Sequence, residues 1–407
     1  MIALIVLGIV LALIAVRQVG RFSIPIYLAM LAGALAVLLF GAISFGDAIL
    51  AMNFEVLLFL FGMFVLCSAL EASGLLEEAT NRILCRAASG RQLMLLNIAL
   101  FAFGSALLVN DSMAVVAAPM LVYLSLRLKV DPKPLLYAAC FAITLGAMAT
   151  PIGNPQNLLI ALESGMADPF GTFARYLVPP ALISLAVLFA LSKAFWPRFW
   201  KSRVQKIQGI TMIRDRGLAQ LSAVAVCLFA LLLLMKWLGA GFALWMVAMP
   251  PALLLLAASR RRLHIARKVD WPTLIFFAAM FVLMQAVWNE GAVQKIVNGG
   301  GQAVSQLGSI IGITIVASQF ISNLPLVALY LPLLSKAGAG AVSYVALAGA
   351  ASMAGNLTIM GAASNVILVE AARRRGVEIS FWEFSKFGII VTLASTLILS
   401  LWLGIAG

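Results

Sequence analysis

The stretch LLVNDSMAVVAAPML, residues 107–121, has a counterpart in SQFISNLPLVALYLPLL, residues 318–334. Asn110 falls on Asn323, and the second proline of the later stretch coincides with Pro119 at the same offset. Each copy places polar and helix-breaking residues inside an apolar run, where unsatisfied backbone groups are tolerated only when they are buried in protein or line a cavity. The sequence therefore predicts a duplicated membrane protein with a binding site at membrane depth.

The overall composition restricts the chain to the class of integral membrane proteins. Hydrophobic residues make up 63% of the 407 residues and charged residues only 11%, so the chain must be solvated mostly by lipid. The four cysteines are scattered singly, without the paired spacing of a metal or redox motif. We therefore expect no metal centre and no cofactor, and the absence of a nucleophile and base set indicates that the chain is not an enzyme.

Apolar stretches of the length needed to cross about 30 Å of hydrocarbon predict eight plain spans. They lie near 2–16, 23–41, 54–73, 174–194, 218–236, 241–258, 271–289 and 386–404. Four other apolar regions are broken internally by Asn, Pro and Gly. We predict re-entrant hairpins at 92–127 and 303–335 and discontinuous spans at 135–162 and 341–372, which gives ten spans and two hairpins.

The distribution of Lys and Arg predicts the orientation of these spans, because basic residues in short loops mark the cytoplasmic side. With the N-terminus outside, all of the 28 basic residues fall in inner loops except Arg175, Lys236, Lys295 and Lys336. We therefore predict a multi-pass protein of the plasma (inner) membrane with both termini outside. The net charge of +13 reflects this topology and does not indicate a nucleic-acid partner.

Three blocks repeat in the same order along the chain. The blocks pair 53–74 with 270–291, the first hairpin with the second, and MATPIGNPQNLLI at 148–160 with NLTIMGAASNVIL at 356–368. In the charge-derived topology each matched element crosses the membrane in the opposite sense. We therefore predict an all-α, inverted-topology repeat whose copies are 1–216 and 217–407.

The breaks in the apolar regions supply the chemistry of a transport site. Proline removes a backbone donor, glycine permits angles that other residues avoid, and asparagine offers an amide oxygen and nitrogen. Amide N–H groups at half-helix N-termini suit an anion, and freed carbonyls at C-terminal ends suit a small cation. We predict one site between the two copies. Its predicted residues are Asn110, Asp111, Ser112, Thr150, Pro151, Gly153, Asn154, Asn157, Ser322, Asn323, Asn356, Thr358, Gly361, Ser364 and Asn365.

Asp111 is the one acidic residue in the middle of a broken apolar segment. A carboxylate at bilayer depth costs about 2.5 to 3.5 kcal/mol on insertion scales, so the first interpretation is a functional proton or cation site. The alternative is a buried cap that accepts from backbone N–H groups of the second hairpin helix. No Lys or Arg lies at either hairpin tip or in either break. An anion would therefore be held by backbone amides, Ser, Thr, Asn and a co-bound cation instead of an arginine clamp.

Four motifs carry a resemblance that covers nearly the whole chain. They are the tip VNDSMAVVAAPM at 109–120, the break ATPIGNPQNLLIA at 149–161, the tip SNLPLVALYLP at 322–332 and the break GNLTIMGAASNVI at 355–367. On these motifs the chain resembles the ion transporter superfamily, in particular its arsenite permease, sodium/proton antiporter and citrate permease-like branch. The resemblance implies that the family's site lies on these tips and breaks.

The divalent anion:sodium symporters are more distant relatives by the same motifs. This relation implies a homodimer and an elevator movement of hairpins and broken helices against a scaffold. Those symporters carry Ser-Asn-Thr at both tips, whereas this chain reads Val109-Asn110-Asp111 and Ser322-Asn323-Leu324. Dicarboxylate specificity and sodium sites at the tips therefore do not carry over directly, and Asp111 supports proton coupling at least as well.

Three transport functions fit these observations. The first is secondary active transport of a small anion or oxyanion, such as a carboxylate, driven by a proton or sodium gradient. The second is sodium/proton antiport, for which Asp111 would exchange the ions and Glu55 is the only candidate for a second acid. The third is efflux of a neutral metalloid hydroxide such as arsenite. A channel is disfavoured because paired sites replace the rings of like groups that line a pore.

Overall fold

The computed structural model describes residues 2–16, 25–204, 212–291 and 305–406. Within these ranges the chain is helical, and one isolated β-bridge joins Ser89 to Arg203. Seven of the described helices are long and apolar enough to cross a membrane. The predicted fold class, an all-α integral membrane protein, is confirmed.

The helices are numbered α1 to α21 in chain order. Those before residue 205 are α1 (Ile2–Val16), α2 (Ile26–Leu39), α3 (Phe45–Ala51), α4 (Phe54–Ser73), α5 (Leu75–Leu84), α6 (Gly90–Leu107), α7 (Asn110–Leu128), α8 (Pro132–Ala147), α9 (Pro155–Glu163), α10 (Pro169–Tyr176), α11 (Val178–Phe195) and α12 (Pro197–Trp200). Those after residue 211 are α13 (Arg216–Trp237), α14 (Trp245–Ala258), α15 (Arg262–Lys268), α16 (Trp271–Asn289), α17 (Leu307–Ile321), α18 (Asn323–Lys336), α19 (Ala341–Ala354), α20 (Ala363–Arg373) and α21 (Phe381–Ala406).

The predicted interruptions occur where the sequence breaks its apolar runs. The hairpins are the helix pairs α6 with α7 and α17 with α18, and the discontinuous spans are α8 with α9 and α19 with α20. The exact ten-span topology and the boundary between copies at 216 and 217 stay predictions. Four of the basic residues that predict the orientation lie outside the described residues: Arg17, Arg21, Lys206 and Lys295. The same holds for residues 23 and 24 of a predicted span and for residues 303 and 304 of the predicted second hairpin.

Short-range chemistry explains why the first discontinuous span restarts at Pro155. The Asn154 side chain accepts a hydrogen bond from the Asn157 N–H, and proline follows at the first helical position, where its missing N–H costs nothing. Gly153 lies so close to the Ala147 backbone that a Cβ atom there would collide with the Ala147 carbonyl. The break therefore folds tightly back on the end of α8.

The helices form two packed groups. The scaffold bundle pairs α4 with α14 and α16 with α2, and α1 and α13 pack on these pairs. The core bundle contains both hairpins and both broken spans, flanked by α11 and α21. Within the core bundle, the first helix of each hairpin packs on the broken span of its own copy, α6 on α8 and α17 on α19. The second helix of each hairpin also packs on the broken span of the other copy, α7 on α20 and α18 on α9. The two copies are therefore interleaved, and both tips meet in the core bundle.

Candidate functional site

A cavity of about 450 Å³ lies where the two hairpin tips and the two breaks converge. Six helices begin at its wall: α7, α9, α18 and α20 from the core bundle, and α2 and α16 from the scaffold bundle. No lysine or arginine lines it within the described ranges. Each helix N-terminus contributes roughly half a positive charge, so the wall favours negative charge without a basic side chain.

The first tip satisfies its own backbone donors. The Asn110 N–H donates to the Gly153 carbonyl at 2.9 Å, and the Asp111 N–H donates to Asn110 Oδ1 at 3.0 Å. The Ser112 N–H donates to the Val109 carbonyl at 3.0 Å. The start of α7 therefore presents no free N–H group at its first three positions, and what it adds to the cavity is the Asp111 carboxylate.

The second tip leaves its donors free. Within the described part of the chain, the N–H groups of Asn323 and Leu324 have no hydrogen-bond acceptor. The same holds for the N–H groups of Ala363 and Ser364 at the start of α20. Asn323 is only 7% exposed, and its Oδ1 atom is buried without a partner among the described residues. This oxygen is an acceptor that water or a bound donor group could satisfy.

The second tip is also strained. Ser322 joins α17 to α18 alone, with φ 73° and ψ 152°, a conformation that essentially only glycine adopts without cost. Hairpin 1 makes the same connection with Leu108 and Val109, both at negative φ. Because Ser322 and Asn323 line the cavity, the strain lies at the binding surface itself.

Asp111 is not a helix cap in this structure. Its Oδ1 atom is buried and has no hydrogen-bond partner within the described residues, and no side chain caps the start of α7. Asp270 caps α16 through the Thr273 N–H, so it belongs to the scaffold bundle. By contrast, Glu55 accepts from the Leu244 N–H and lines a different cleft.

The asparagines within the breaks organise the backbone behind the cavity. Asn157 Nδ2 donates to the carbonyls of Ala147 at 3.1 Å and Thr150 at 3.0 Å, and its counterpart Asn365 donates to the Gly355 carbonyl at 2.7 Å. Both asparagines are fully buried, and both Oδ1 atoms lack a partner among the described residues. These side chains occupy the freed carbonyls that were predicted as a cation's ligands.

Threonines attach each hairpin to its break. Thr150 Oγ1 donates to the Ala106 carbonyl at 2.6 Å. Its counterpart Thr358 donates to Gln319 Oε1 at 3.0 Å, and Gln319 Nε2 donates to the Ala354 carbonyl at 2.9 Å. Near its tip, the first hairpin thus accepts this bond through a backbone carbonyl and the second through the Gln319 side chain.

Polar side chains also join the two copies. Asn154 Nδ2 donates to Ser352 Oγ at 2.9 Å, Asn110 Nδ2 donates to Ser364 Oγ at 3.5 Å, and Thr144 is hydrogen-bonded to Asn356. All of these residues are buried. The broken spans therefore meet as one polar unit at the centre of the core bundle.

The predicted site residues divide into two groups. Asn110, Asp111, Ser322 and Asn323 line the cavity. The others lie behind its wall: Ser112, Thr150, Pro151, Gly153, Asn154, Asn157, Asn356, Thr358, Gly361, Ser364 and Asn365. The backbone at Gly361 packs closely on the end of α19, where a Cβ atom would lie 2.9 Å from the Ala354 carbonyl oxygen. Their roles in transport stay predictions.

Several wall residues were not predicted from the sequence. Gln156, at the start of α9, and three residues of the scaffold bundle, Tyr27, Thr273 and Phe276, line the cavity. Gln156 aligns with Ser364 between two predicted positions, so the repeat itself could have indicated it. The scaffold residues sit at the starts of ordinary spans, where the sequence carries no distinguishing signal.

Comparison with known proteins identifies the family of this chain. The family model described as "Citrate transporter" matches residues 4–348. The chain belongs to the citrate transporter family. It is 30% identical to the protein named "Uncharacterized transporter Mb2703" of Mycobacterium bovis, over 92% of each chain. It is 25% identical to the protein named "Silicon efflux transporter LSI3" of Oryza sativa subsp. japonica, over 90% of each.

A solved structure supports the fold. The YdaH transporter of Alcanivorax borkumensis superposes with a TM-score of 0.60 at 16% identity, covering 87% of this chain and 86% of that one. At this identity the likeness establishes the architecture alone. The citrate transporter family and the relatives are membrane transporters and not enzymes, so this chain is an integral membrane transporter, as predicted.

Proposed function

We propose that this member of the citrate transporter family is a secondary active transporter that moves a small anion or oxyanion, coupled to a proton or sodium gradient. The observation that carries the proposal is the polarity of the cavity. Free N–H donors lie at the second tip and at the start of α20, and the only carboxylate of the lining among the described residues lies at the first tip. One wall thus suits an anion and the other suits a cation.

The anion would bind at the second tip. Amide N–H groups at the starts of α18 and α20 have no internal acceptor in the described chain, and helix N-termini favour negative charge. The Asn323 side chain lines the cavity and carries a neutral donor, Nδ2, that can orient the anion. Neither Lys nor Arg lines the described wall, so no side chain with a full positive charge would hold the anion. The anion could therefore be released without breaking an ion pair.

The coupling ion would bind at Asp111. An anion in the same cavity as an ionised carboxylate is repelled, and the effect is stronger at low dielectric than in water. A proton on Asp111, or a sodium ion beside it, removes this repulsion. The anion and the coupling ion would therefore bind together, which is the thermodynamic requirement for coupled transport.

The division into two bundles supports an elevator movement of the core bundle against the scaffold bundle. The scaffold side of the cavity consists of Pro25, Ile26, Tyr27, Pro272, Thr273 and Phe276, with few polar groups to hold the anion. With both termini outside the inner membrane, the starts of α2 and α16 lie on the cytoplasmic side, so this cavity opens inward. A homodimer is part of the proposal, by the resemblance to the divalent anion:sodium symporters.

Efflux of a neutral hydroxide is the second candidate. Asp111 Oδ1 and Asn323 Oδ1 are unpaired acceptors in the described chain, and acceptors match hydroxyl donors. The name of the rice relative, a silicon efflux transporter, is consistent with such a substrate. Sodium/proton antiport without a substrate is less well supported, because it leaves the free N–H groups of the second tip without a role.

Reconstitution into liposomes separates these candidates. Purified protein would be tested with a panel of carboxylates, oxyanions and arsenite under imposed proton or sodium gradients. We expect accumulation of at least one anion that depends on one of the two gradients. Transport restricted to uncharged hydroxides would favour the second candidate, and ion exchange without any substrate would contradict both.

A further inference from the structure

One side-chain hydrogen bond links the start of α4 to the end of α9, beside a second cleft of about 300 Å³ that Glu163 also lines. Asn53 caps α4 through its Oδ1, and its Nδ2 donates to Glu163 Oε1 at the end of α9 at 2.5 Å. Because α4 belongs to the scaffold bundle and α9 to the core bundle, this hydrogen bond joins the two bundles at one face.

The repeat places Asp270 in the position of Asn53 at the other face. Asp270 caps α16, accepting from the Thr273 N–H at 3.1 Å and from Thr273 Oγ1 at 2.6 Å. The position equivalent to Glu163 is Ala371 in α20, and Arg374 and Arg375 follow one turn later. At this face the bundles are apart, since Thr273 lines the open cavity.

The two arginines are available for a new partner. They line a cleft of about 490 Å³ between α20, α7 and the end of α4, which Glu71 and Glu77 also line. Arg374 pairs only with Glu370 of its own helix among the described residues, and its side chain is 75% exposed. The Arg375 guanidinium donates to the Ala371 carbonyl of its own helix at 2.9 Å.

In inverted-repeat transporters, alternating access is largely a movement of one bundle against the other around the site. Applied to this repeat, the movement would open the contact at one face and form its counterpart at the equivalent positions of the other face. We infer that Asp270 is a positioning residue that pairs with Arg374 or Arg375 in the opposite state, when the Asn53–Glu163 contact opens. The inference rests on the proposed alternating movement and on the predicted inverted topology. It deepens the proposed function by naming a contact that stabilises the opposite state.

Cysteine cross-linking tests the inference directly. The four native cysteines, Cys67, Cys85, Cys140 and Cys227, would first be replaced. One pair, Asn53→Cys with Glu163→Cys, reports the observed state, and a second pair, Asp270→Cys with Arg374→Cys, reports the opposite state. We expect each pair to form in separate proteins, and cross-linking of either pair to stop transport. A second pair that never forms in transport-competent protein would overturn the inference.

A charge-neutral variant shows whether Asp270 acts through its charge or only as the cap of α16. Asp270→Asn keeps a capping side chain, as Asn53 does at the equivalent position, but weakens the ion pair. We expect the 53–163 pair to cross-link roughly two- to fivefold faster in this variant, the range of an exposed ion pair. Asp168→Asn, at the cap of α10, is the matched control and should leave that rate unchanged.

An unchanged rate in Asp270→Asn would also overturn the inference. The cross-linking assay needs no substrate, so it is independent of the anion assignment. If the two cysteine pairs form as expected while no anion is transported, the substrate proposal fails and the Asp270 contact stands.

Discussion

The two hairpin tips occupy equivalent positions in the repeat but leave different groups free. At the first tip the backbone N–H groups are hydrogen-bonded within the protein, and the tip presents the Asp111 carboxylate to the cavity. The second tip presents free N–H groups and the Asn323 amide. The first tip turns through two relaxed residues and the second through the strained Ser322. The two tips of the predicted repeat thus differ in electrostatic character, with a carboxylate at the first and free N–H donors at the second.

The hairpin helices differ in the same direction. Ser105 Oγ in α6 donates to the Ile143 carbonyl at 2.7 Å, and Asn97 Nδ2 donates to the Leu135 carbonyl at 3.1 Å. In α17 the buried hydroxyls of Thr314 and Ser318 have no partner among the described residues. The first hairpin is therefore joined to its broken span by side-chain hydrogen bonds along α6. Among the described residues, the second is joined to its broken span near the tip, through Gln319, and at its base, where Ser343 Oγ donates to the Ser305 carbonyl at 3.5 Å.

A carboxylate at the second tip should produce the largest loss. Asn323→Asp places negative charge among the free N–H groups, where the new carboxylate would occupy the donors and repel the anion. We expect kcat/KM for the transported anion to fall at least about tenfold, which is about 1.4 kcal/mol. Uptake into liposomes measures this value. Asn323→Ser, a neutral polar control, should lose less; equal losses would mean that charge at this tip is unimportant.

Glycine at the two turns should have opposite effects on stability. Ser322→Gly removes a strain of about 1–3 kcal/mol and adds glycine's own entropy cost of about 0.5–1 kcal/mol, so we expect a net gain of about 1 kcal/mol. Val109→Gly relieves no strain and loses a buried side chain, so it should destabilise. Thermal unfolding of the purified variants provides the comparison. A shift of the same sign in both would contradict the difference between the tips.

Alanine at the equivalent serines should have the smallest effect. Ser105→Ala removes the side-chain hydrogen bond to the Ile143 carbonyl and should cost about 1 kcal/mol. Ser318→Ala removes a buried hydroxyl that has no partner in the described chain, so it should be neutral or slightly stabilising. Unfolding measurements on both variants test this. If Ser318→Ala costs as much as Ser105→Ala, the second hairpin is bonded as firmly as the first.

The positions of the tips and breaks were predictable from the sequence. Apolar runs are interrupted at Asn110, Asn323, Pro151 and Gly361, and irregular backbone at membrane depth must be buried in protein or line a cavity. Because the repeat carries each interruption twice, each signal was doubled. The helix pairs and broken spans consequently appear within a few residues of their predicted bounds.

The division of labour among the polar residues was not predictable. Asn157 and Asn323 are the same residue type at broken positions of the sequence. Asn157 donates to backbone carbonyls behind the wall, whereas Asn323 lines the cavity. This distinction depends on side-chain direction, which residue type and spacing do not determine. Likewise, the placement of Asp270 and Thr273 depends on how α16 packs against elements that are distant in sequence. The strain at Ser322 depends on where α17 ends.

The central claim is that the anion binds at the second tip and the coupling ion at Asp111. Asp111→Asn tests it most directly, because it keeps the shape of the side chain and removes its charge. In proteoliposomes we predict that gradient-driven accumulation is lost, while counterflow exchange of the anion, which needs no net coupling, persists. Accumulation equal to that of the parent protein under either gradient would contradict the claim, as would the loss of both activities in folded protein.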